Sequence, residues 1–279
     1  MIDMIPTLPR GVRLHENSLE DKALQQDYPI NTTARHFLSL IDGKHSLSSL
    51  ASSLAGHYQR SEEAVMSDIL PLSQKLQQNR LLNVRGSWRQ FFLQWLIAFR
   101  THIIPPIYGW RSDLPETSNI GVLFFWTCLI VLRAWLPLIC LSLVIGVGIG
   151  SMLGILLPFT AYLAFSWACV VLSIALHEAS HLIMLRRLQG SRYGFFVQVG
   201  LYIHLVRPQQ TSLRSEAMIS LAGPLAPTVI ALLMLGWHFL HGGLVDWIVI
   251  AIFGIHALQL ILPNRDLSNI FRLTRLARR

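Results

Sequence analysis

The chain has 279 residues, of which 52% are hydrophobic and 14% charged, and its net charge is +8. Polar residues are concentrated in the first third, which argues against a single globular fold and indicates a soluble part followed by a membrane part. Most arginines after residue 85 flank apolar segments, where the positive-inside bias accounts for them, so the charge does not indicate a nucleic-acid partner. The N-terminus, MIDMIPTLPRGVRLHEN, lacks the apolar run of a signal peptide, and we expect the first part to stay in the cytoplasm.

Residues 8 to 85 show the pattern of a small winged-helix-like α+β domain. The stretches GVRLHEN and KALQQDY predict a short hairpin. Asn31, Ser46 and Ser61 are expected to cap three helices, each of which carries apolar residues at helical spacing. Such stripes predict a hydrophobic core and, by themselves, no particular activity.

The segment INTTARHFLSLIDGKHSLSSLASSLAGHY, together with the order of the elements, resembles the PqqD-like family. The resemblance implies that residues 1–85 bind the leader segment of a ribosomally made precursor peptide, by adding it as an extra strand. It places the leader groove near Val12 to His15 and Ala64 to Leu72. A DNA-binding winged helix is the rival interpretation, but the third helix, SEEAVMSDILPLSQKL, carries three acidic residues and one lysine, which suits phosphate poorly.

Residues 86–117 join the two parts of the chain. In GSWRQFFLQWLIAFRTHIIPPIYGW, residues 86 to 110, tryptophans alternate with arginines before a Pro-Pro break. This composition predicts an amphipathic helix that lies at the membrane surface. A fifth membrane span is the alternative interpretation.

The remaining residues, 118–279, predict about four transmembrane helices, at roughly 119–149, 156–185, 215–240 and 244–262. Arginines cluster between the second and third spans and in the tail, whereas the turns after the first and third spans contain neither Lys nor Arg. The positive-inside rule therefore places both termini in the cytoplasm. We expect an α-helical polytopic membrane protein, embedded in the lipid of the inner membrane, with a small N-terminal α+β domain.

The second predicted span contains SIALHEASHLIML, residues 173 to 185. His177 and His181 are four residues apart on one helix face, with Glu178 beside them, in the pattern HExxH. In metallopeptidases the two imidazoles bind zinc and the glutamate accepts a proton from the attacking water. Ionisable groups within an intramembrane helix are costly unless they serve a function. The pattern predicts a Zn²⁺ site, with Glu178 as the catalytic residue.

A zinc site needs a third protein ligand, and the sequence offers two candidates. Glu216, at the start of the third span, is one, although an acidic residue there also suits the helix dipole. Asp266, in LILPNRDLSN after the last span, is the better one because the predicted topology returns it to the face that carries the HExxH. His256, in the fourth span, could be a polar helper near the metal, but a hydrogen-bonded packing histidine is the favoured interpretation.

Three motifs in order resemble the site-2 protease family of intramembrane zinc metallopeptidases: HEASH on one span, ISLAGPLAP on the next, and LPNRDLSN after the last. The resemblance implies that His177, His181 and Asp266 bind zinc and that Glu178 is the base. Gly223 matches the family's Ala-Gly-Pro element, to which a structural role is assigned.

The same resemblance concerns the segment between the second and third spans. YGFFVQVGLYIHLV, residues 193 to 206, alternates in polarity around Gly200 and predicts a β-hairpin. In the family such a segment near the active site can pair with an extended substrate. We therefore expect the hairpin to lie beside a bound peptide.

Together the two resemblances predict an intramembrane zinc endopeptidase that cleaves a precursor peptide recruited by the N-terminal domain. One alternative is a regulated intramembrane protease that cleaves a transmembrane regulator and uses the first domain as a sensor. The other is a non-catalytic peptide-binding immunity or export helper, which Leu267 keeps open because the family usually has glycine there. The sequence identifies no individual substrate-binding residue.

Overall fold

The computed structural model describes residues 4–85, 109–208 and 212–261. These residues form two compact units. The first combines the described residues up to Leu114 with Tyr193–Pro208, and the second combines Pro115–Arg192 with the described residues from position 212 onward. A segment that lies between two apolar helices in the sequence therefore belongs to the N-terminal unit.

The first unit begins with a small α+β arrangement. In chain order its elements are β1 (Ile5–Thr7), β2 (Val12–Leu14), β3 (Ser18–Asp21), β4 (Gln26–Pro29), α1 (Thr32–Ser39), α2 (Leu47–Tyr58), α3 (Glu62–Gln78) and β5 (Asn83–Arg85). Strands β2, β3 and β4 form an antiparallel meander, so the predicted two-stranded hairpin gains a middle strand. Strand β1 pairs antiparallel with β5 and joins the two ends of this arrangement.

The predicted helix starts are confirmed. The side chains of Asn31, Ser46 and Ser61 each accept a hydrogen bond from the backbone N–H three residues later, which satisfies one otherwise unpaired donor per helix. The three helices pack around one hydrophobic core, in which Phe37 and Leu54 are almost fully buried.

A second sheet completes the first unit. It contains β6 (Trp110–Ser112), β7 (Phe195–Val199) and β8 (Tyr202–Val206), all antiparallel, with β7 in the centre. The predicted hairpin is thus confirmed, and Gly200 takes a positive φ of 58° at its turn. Strand β6 comes from the end of the predicted surface linker. The rest of that linker, residues 86–108, lies outside the described residues, and its surface helix stays a prediction.

Arg111 joins the parts of the first unit. Its side chain is completely buried and donates hydrogen bonds to both carboxylate oxygens of Asp21, at 2.5 and 3.0 Å, and to Asp113 at 2.7 Å. Its guanidinium lies 3.7 Å from the ring centre of Phe195, and its backbone exchanges two hydrogen bonds with Asn83. Burial lowers the pKa of Arg111, but its bonds to the two carboxylates outweigh that effect and raise the pKa, so the group remains charged.

The second unit consists of long apolar helices. They are α4 (Ile120–Met152), α5 (Leu156–Gln189), α6 (Leu213–His241) and α7 (Leu244–Ile261). Within the described parts of the chain, α4, α5 and α6 are long and apolar enough to cross a membrane. Helix α4 continues through Pro137 as the single long helix that the sequence predicted. The structure describes 18 residues of helix α7, up to Ile261, where the described residues end.

Helices α5 and α7 run in the same direction. The Ser173 hydroxyl on α5 donates to the carbonyl of Ile252 on α7 at 3.4 Å. Four residues further along each helix, the ring of His177 stacks on that of His256. Because the second contact lies four residues after the first on both helices, the helices are parallel. Their C-terminal ends therefore lie at the same end of this unit. That direction agrees with spans that alternate in orientation.

Candidate functional site

The two histidines of the HExxH pattern face each other within the second unit. His177 and His181 are 7% and 6% exposed, and their Nε2 atoms are 3.2 Å apart. Their rings meet edge to face, with centroids separated by 4.8 Å. The one-turn spacing of the pair therefore brings one nitrogen of each imidazole close to the other, as the sequence predicted.

The protonation of His181 follows from its second contact. Its Nδ1 lies 2.6 Å from the backbone carbonyl oxygen of Ile219, on α6, and a carbonyl can only accept. Nδ1 therefore donates in this contact, and the other ring nitrogen, Nε2, points toward His177. Histidines that bind metals are commonly oriented by such a hydrogen bond from the other ring nitrogen.

Helix α6 can approach His181 because it has a glycine at the point of contact. A Cβ placed on Gly223 would overlap the imidazole, at 2.6 Å or less from three of its ring atoms. Two prolines follow within the same helix, and they leave the carbonyls of Ser220 and Gly223 without the usual helical donor. The Ala-Gly-Pro element thus serves close packing against the histidine pair.

The histidine pair fits a zinc ion. Two imidazole nitrogens that bind one tetrahedral zinc at ~2.0 to 2.1 Å are separated by roughly 3.3 Å. The observed 3.2 Å between the two Nε2 atoms agrees with that value. The other nitrogen of His177, Nδ1, is buried and has no hydrogen-bond partner among the residues that the structure describes. The donor atoms and their spacing are compatible with two of the ligands of a zinc ion.

The described residues do not supply the other half. Within 4–85, 109–208 and 212–261, no group of three or more His, Cys, Asp or Glu side chains is arranged to hold a metal. Glu216 is buried at the start of α6, where it accepts a hydrogen bond from Ser220 at 3.4 Å. Asp266 lies outside the described residues, so its role as ligand stays a prediction. Glu178 is partly buried on α5, next to the pair.

His256, for which the sequence favoured a packing role, lies against this pair. It is 7% exposed on α7, and its ring stacks on His177 with centroids 4.8 Å apart and planes at 27°. The available signal was a polar residue in an apolar span. The spacing along the sequence could not show which ring it would meet, because the contact joins two helices that are about 80 residues apart.

A second candidate site is a groove of about 440 Å³ in the first unit. Its apolar lining comes from all three helices, namely Ala34, Phe37, Leu54, Val65, Ile69 and Leu72. Polar residues at the groove include Arg60 and Asp68, which form an exposed ion pair at 2.9 Å. Residues of α3 within the range 64–72 line this groove, whereas no residue of β2 does. Its role as a leader groove stays a prediction.

The β7–β8 hairpin belongs to the same unit as this groove. Phe195, Val197 and Val199 pack against Ala23 and Leu24, just after β3. Its predicted pairing with a substrate stays a prediction.

Comparison with known proteins concerns part of the chain. Over 82 residues, which are 28% of the chain, it is 33% identical to the Bifunctional coenzyme PQQ synthesis protein C/D of Methylorubrum extorquens. The match spans about a fifth of that relative, 22% of its length. No family model matches the chain, and no solved structure shows a significant match. The similarity agrees with a PqqD-like part.

The contact between Gly223 and His181 generates a prediction. Gly223→Ala should weaken zinc binding by about 10- to 100-fold, because the added methyl group displaces the ring that Ile219 orients. Gly236→Ala is the matched control, since this glycine lies on the same helix with nothing within 4 Å of the added Cβ. Zinc affinity would be measured on the purified full chain by competition with a chelator. Equal affinity in both variants would contradict the assignment.

Proposed function

We propose that the chain is an intramembrane zinc endopeptidase that cleaves a precursor peptide captured by its N-terminal unit. The observation that carries this proposal is the 3.2 Å convergence of the His177 and His181 Nε2 atoms inside an apolar helical unit. Polar groups at such a position are costly and are commonly functional. The HExxH spacing, the oriented tautomer of His181 and the glycine beneath its ring all support a metal-binding role.

His177, His181 and Asp266 are the proposed zinc ligands. The parallel direction of α5 and α7 supports the third, because Asp266 follows the last described residue of α7 by five positions in the sequence. A carboxylate would complete a site of two imidazoles and one oxygen, which leaves the fourth position for water or substrate.

Glu178 would perform the proton transfers. Zinc, when bound, polarises the peptide carbonyl and makes water more acidic. The Glu178 carboxylate accepts a proton from the attacking water as the new oxygen–carbon bond forms. It then delivers that proton to the nitrogen as the carbon–nitrogen bond breaks, and the products are a carboxylic acid and an amine.

The groove of the first unit would capture the substrate. Its apolar floor, between α1, α2 and α3, suits hydrophobic side chains of an extended peptide. Strand β4 ends two residues before Asn31, which lines the groove, so a peptide paired with the edge of β4 would continue into it. The partial similarity to a PQQ synthesis protein supports a peptide-binding role. We propose an inner-membrane protein with both termini in the cytoplasm, where a ribosomally made peptide is available.

The proposed base generates the second prediction. Glu178→Gln should retain zinc but reduce kcat by about 10²- to 10⁴-fold, because the amide keeps the shape of the side chain yet accepts no proton. Zinc content and peptide turnover would be measured on the same purified sample. Gln259→Glu is not a suitable control because Gln259 contacts His256. Ser180→Ala, on the same helix, is suitable, since its hydroxyl donates to the Leu176 carbonyl of α5 and has no part in the proposed site. Wild-type turnover in Glu178→Gln would remove this residue from the mechanism.

The groove generates the third prediction. Leu72→Glu should raise KM for a leader-containing precursor about tenfold, because it places a carboxylate in the apolar lining. Leu70→Glu is the matched control on the same helix, since Leu70 is exposed and does not line the groove. Neither variant should change cleavage of a leaderless peptide. When the groove binds the leader, the cleavage site on the same peptide reaches an effective concentration on the order of millimolar at the active site. A leaderless peptide gains no such increase.

Full-length variants are required for this comparison. Removal of residues 1–85 would take away Asp21, which pairs with the buried Arg111, and Ala23, which covers the β7–β8 hairpin. The truncated chain would therefore lose more than leader binding. If Leu72→Glu and Leu70→Glu raise KM equally, or if the leaderless peptide is affected to the same degree, the groove does not bind the leader.

A further inference from the structure

The two histidines of the pair are oriented by different means. The ring of His181 is fixed by its hydrogen bond to Ile219 and by Gly223. The corresponding nitrogen of His177, Nδ1, is buried, and the described part of the chain offers it no hydrogen-bond partner. A metal ligand whose ring can rotate binds weakly, so the orientation of His177 requires another contact.

The ring of His256 supplies that contact. It lies against His177 with a centroid distance of 4.8 Å and an interplanar angle of 27°, which is a stacked arrangement. The ring of His181 meets His177 at 85°. His177 is therefore confined between the edge-to-face contact with one imidazole and the stacked contact with another.

His256 is itself held in place. Its Nδ1 lies 3.4 Å from the side-chain oxygen of Gln259, one turn further along α7. Helix α7 is joined to α5 just before this level by the bond from Ser173 to Ile252. Phe253 also packs with Cys169 in a small buried cluster between the helices. The stacking face of His256 is thus presented by a packed helix and not by a loop.

We propose that His256 is a positioning residue, which orients the His177 imidazole for metal binding through ring stacking. The inference rests on the proposed zinc site and adds to it the means by which its first ligand is aligned. It assigns no metal bond to His256, in agreement with the lack of a three-ligand group in the described ranges. His256 contributes the flat face of its ring. A phenylalanine has such a face but no ring nitrogens, so substitution can distinguish the two contributions.

The test uses three variants of the full chain. His256→Ala removes the ring, His256→Phe keeps a flat ring without nitrogens, and Gln259→Leu keeps the histidine but removes its hydrogen-bond partner. Zinc affinity would be measured by chelator competition, and the absorption spectrum of the cobalt-substituted protein would report the ligand set. We expect His256→Ala to weaken zinc binding by about 10- to 100-fold. His256→Phe should stay within about threefold of the wild type, with an unchanged cobalt spectrum. Gln259→Leu should lie between His256→Phe and His256→Ala, because it frees the His256 ring from the hydrogen bond that holds it.

The possible outcomes separate this inference from the proposed function. If His256→Phe binds zinc as weakly as His256→Ala, a nitrogen of His256 is needed and the stacking role is wrong. If His256→Ala binds as tightly as the wild type, His256 does not orient the ligand. If the wild type itself binds no zinc, the proposed function fails, and the positioning role fails with it.

Discussion

Two imidazoles inside an apolar helical unit must find their partners within the protein, and this requirement organises the second unit. An unpaired polar group in such surroundings costs several kcal/mol. His181 is satisfied by a backbone carbonyl of α6, and His177 is met by His181 and by a ring from α7. Each of the two neighbouring helices thus has a defined contact with the histidine helix. Both α6 and α7 therefore contact the same pair of side chains.

The first unit is organised by a buried charge. Arg111 pairs with Asp21 and Asp113 and stacks on Phe195, so strands distant in the sequence meet around one guanidinium. Loss of one partner would leave a buried charge uncompensated, which commonly costs about 3 to 5 kcal/mol. The hairpin held in this way connects, in the sequence, the helix of the HExxH motif to the helix of Gly223. The proposed peptide-binding unit is therefore covalently continuous with both helices.

Local signals in the sequence predicted local features of the fold. Capping residues such as Asn31 predicted helix starts, and the alternation around Gly200 predicted a hairpin. The spacing of His177 and His181 predicted that their imidazoles would face each other. Each depends on residues a few positions apart. Contacts between distant segments were not predictable in this way. Nothing in the sequence around Arg111 shows that its strand would join the hairpin, because its partners, in β7 and at Asp21, are about 85 to 90 residues away.

The same division applies to the candidate site. The HExxH motif, which occupies about one helix turn, predicted a zinc site. The Ala-Gly-Pro element predicted a structural role in helix packing. The structure shows what that packing contacts: the ring of His181 lies where a side chain on residue 223 would be. The stacking partner of His177 depends on the parallel course of two helices. Tertiary arrangement, and not local pattern, determines how a motif histidine is aligned.

The central claim is that His177 and His181 bind one zinc ion. X-ray absorption at the zinc edge, recorded on the purified full chain, tests it most directly. The account predicts two imidazole nitrogens at ~2.0 to 2.1 Å together with oxygen ligands at ~2.0 to 2.2 Å. It also predicts that one imidazole is lost in His181→Ala and one oxygen in Asp266→Ala. A spectrum without imidazole, or one that His181→Ala leaves unchanged, would contradict it.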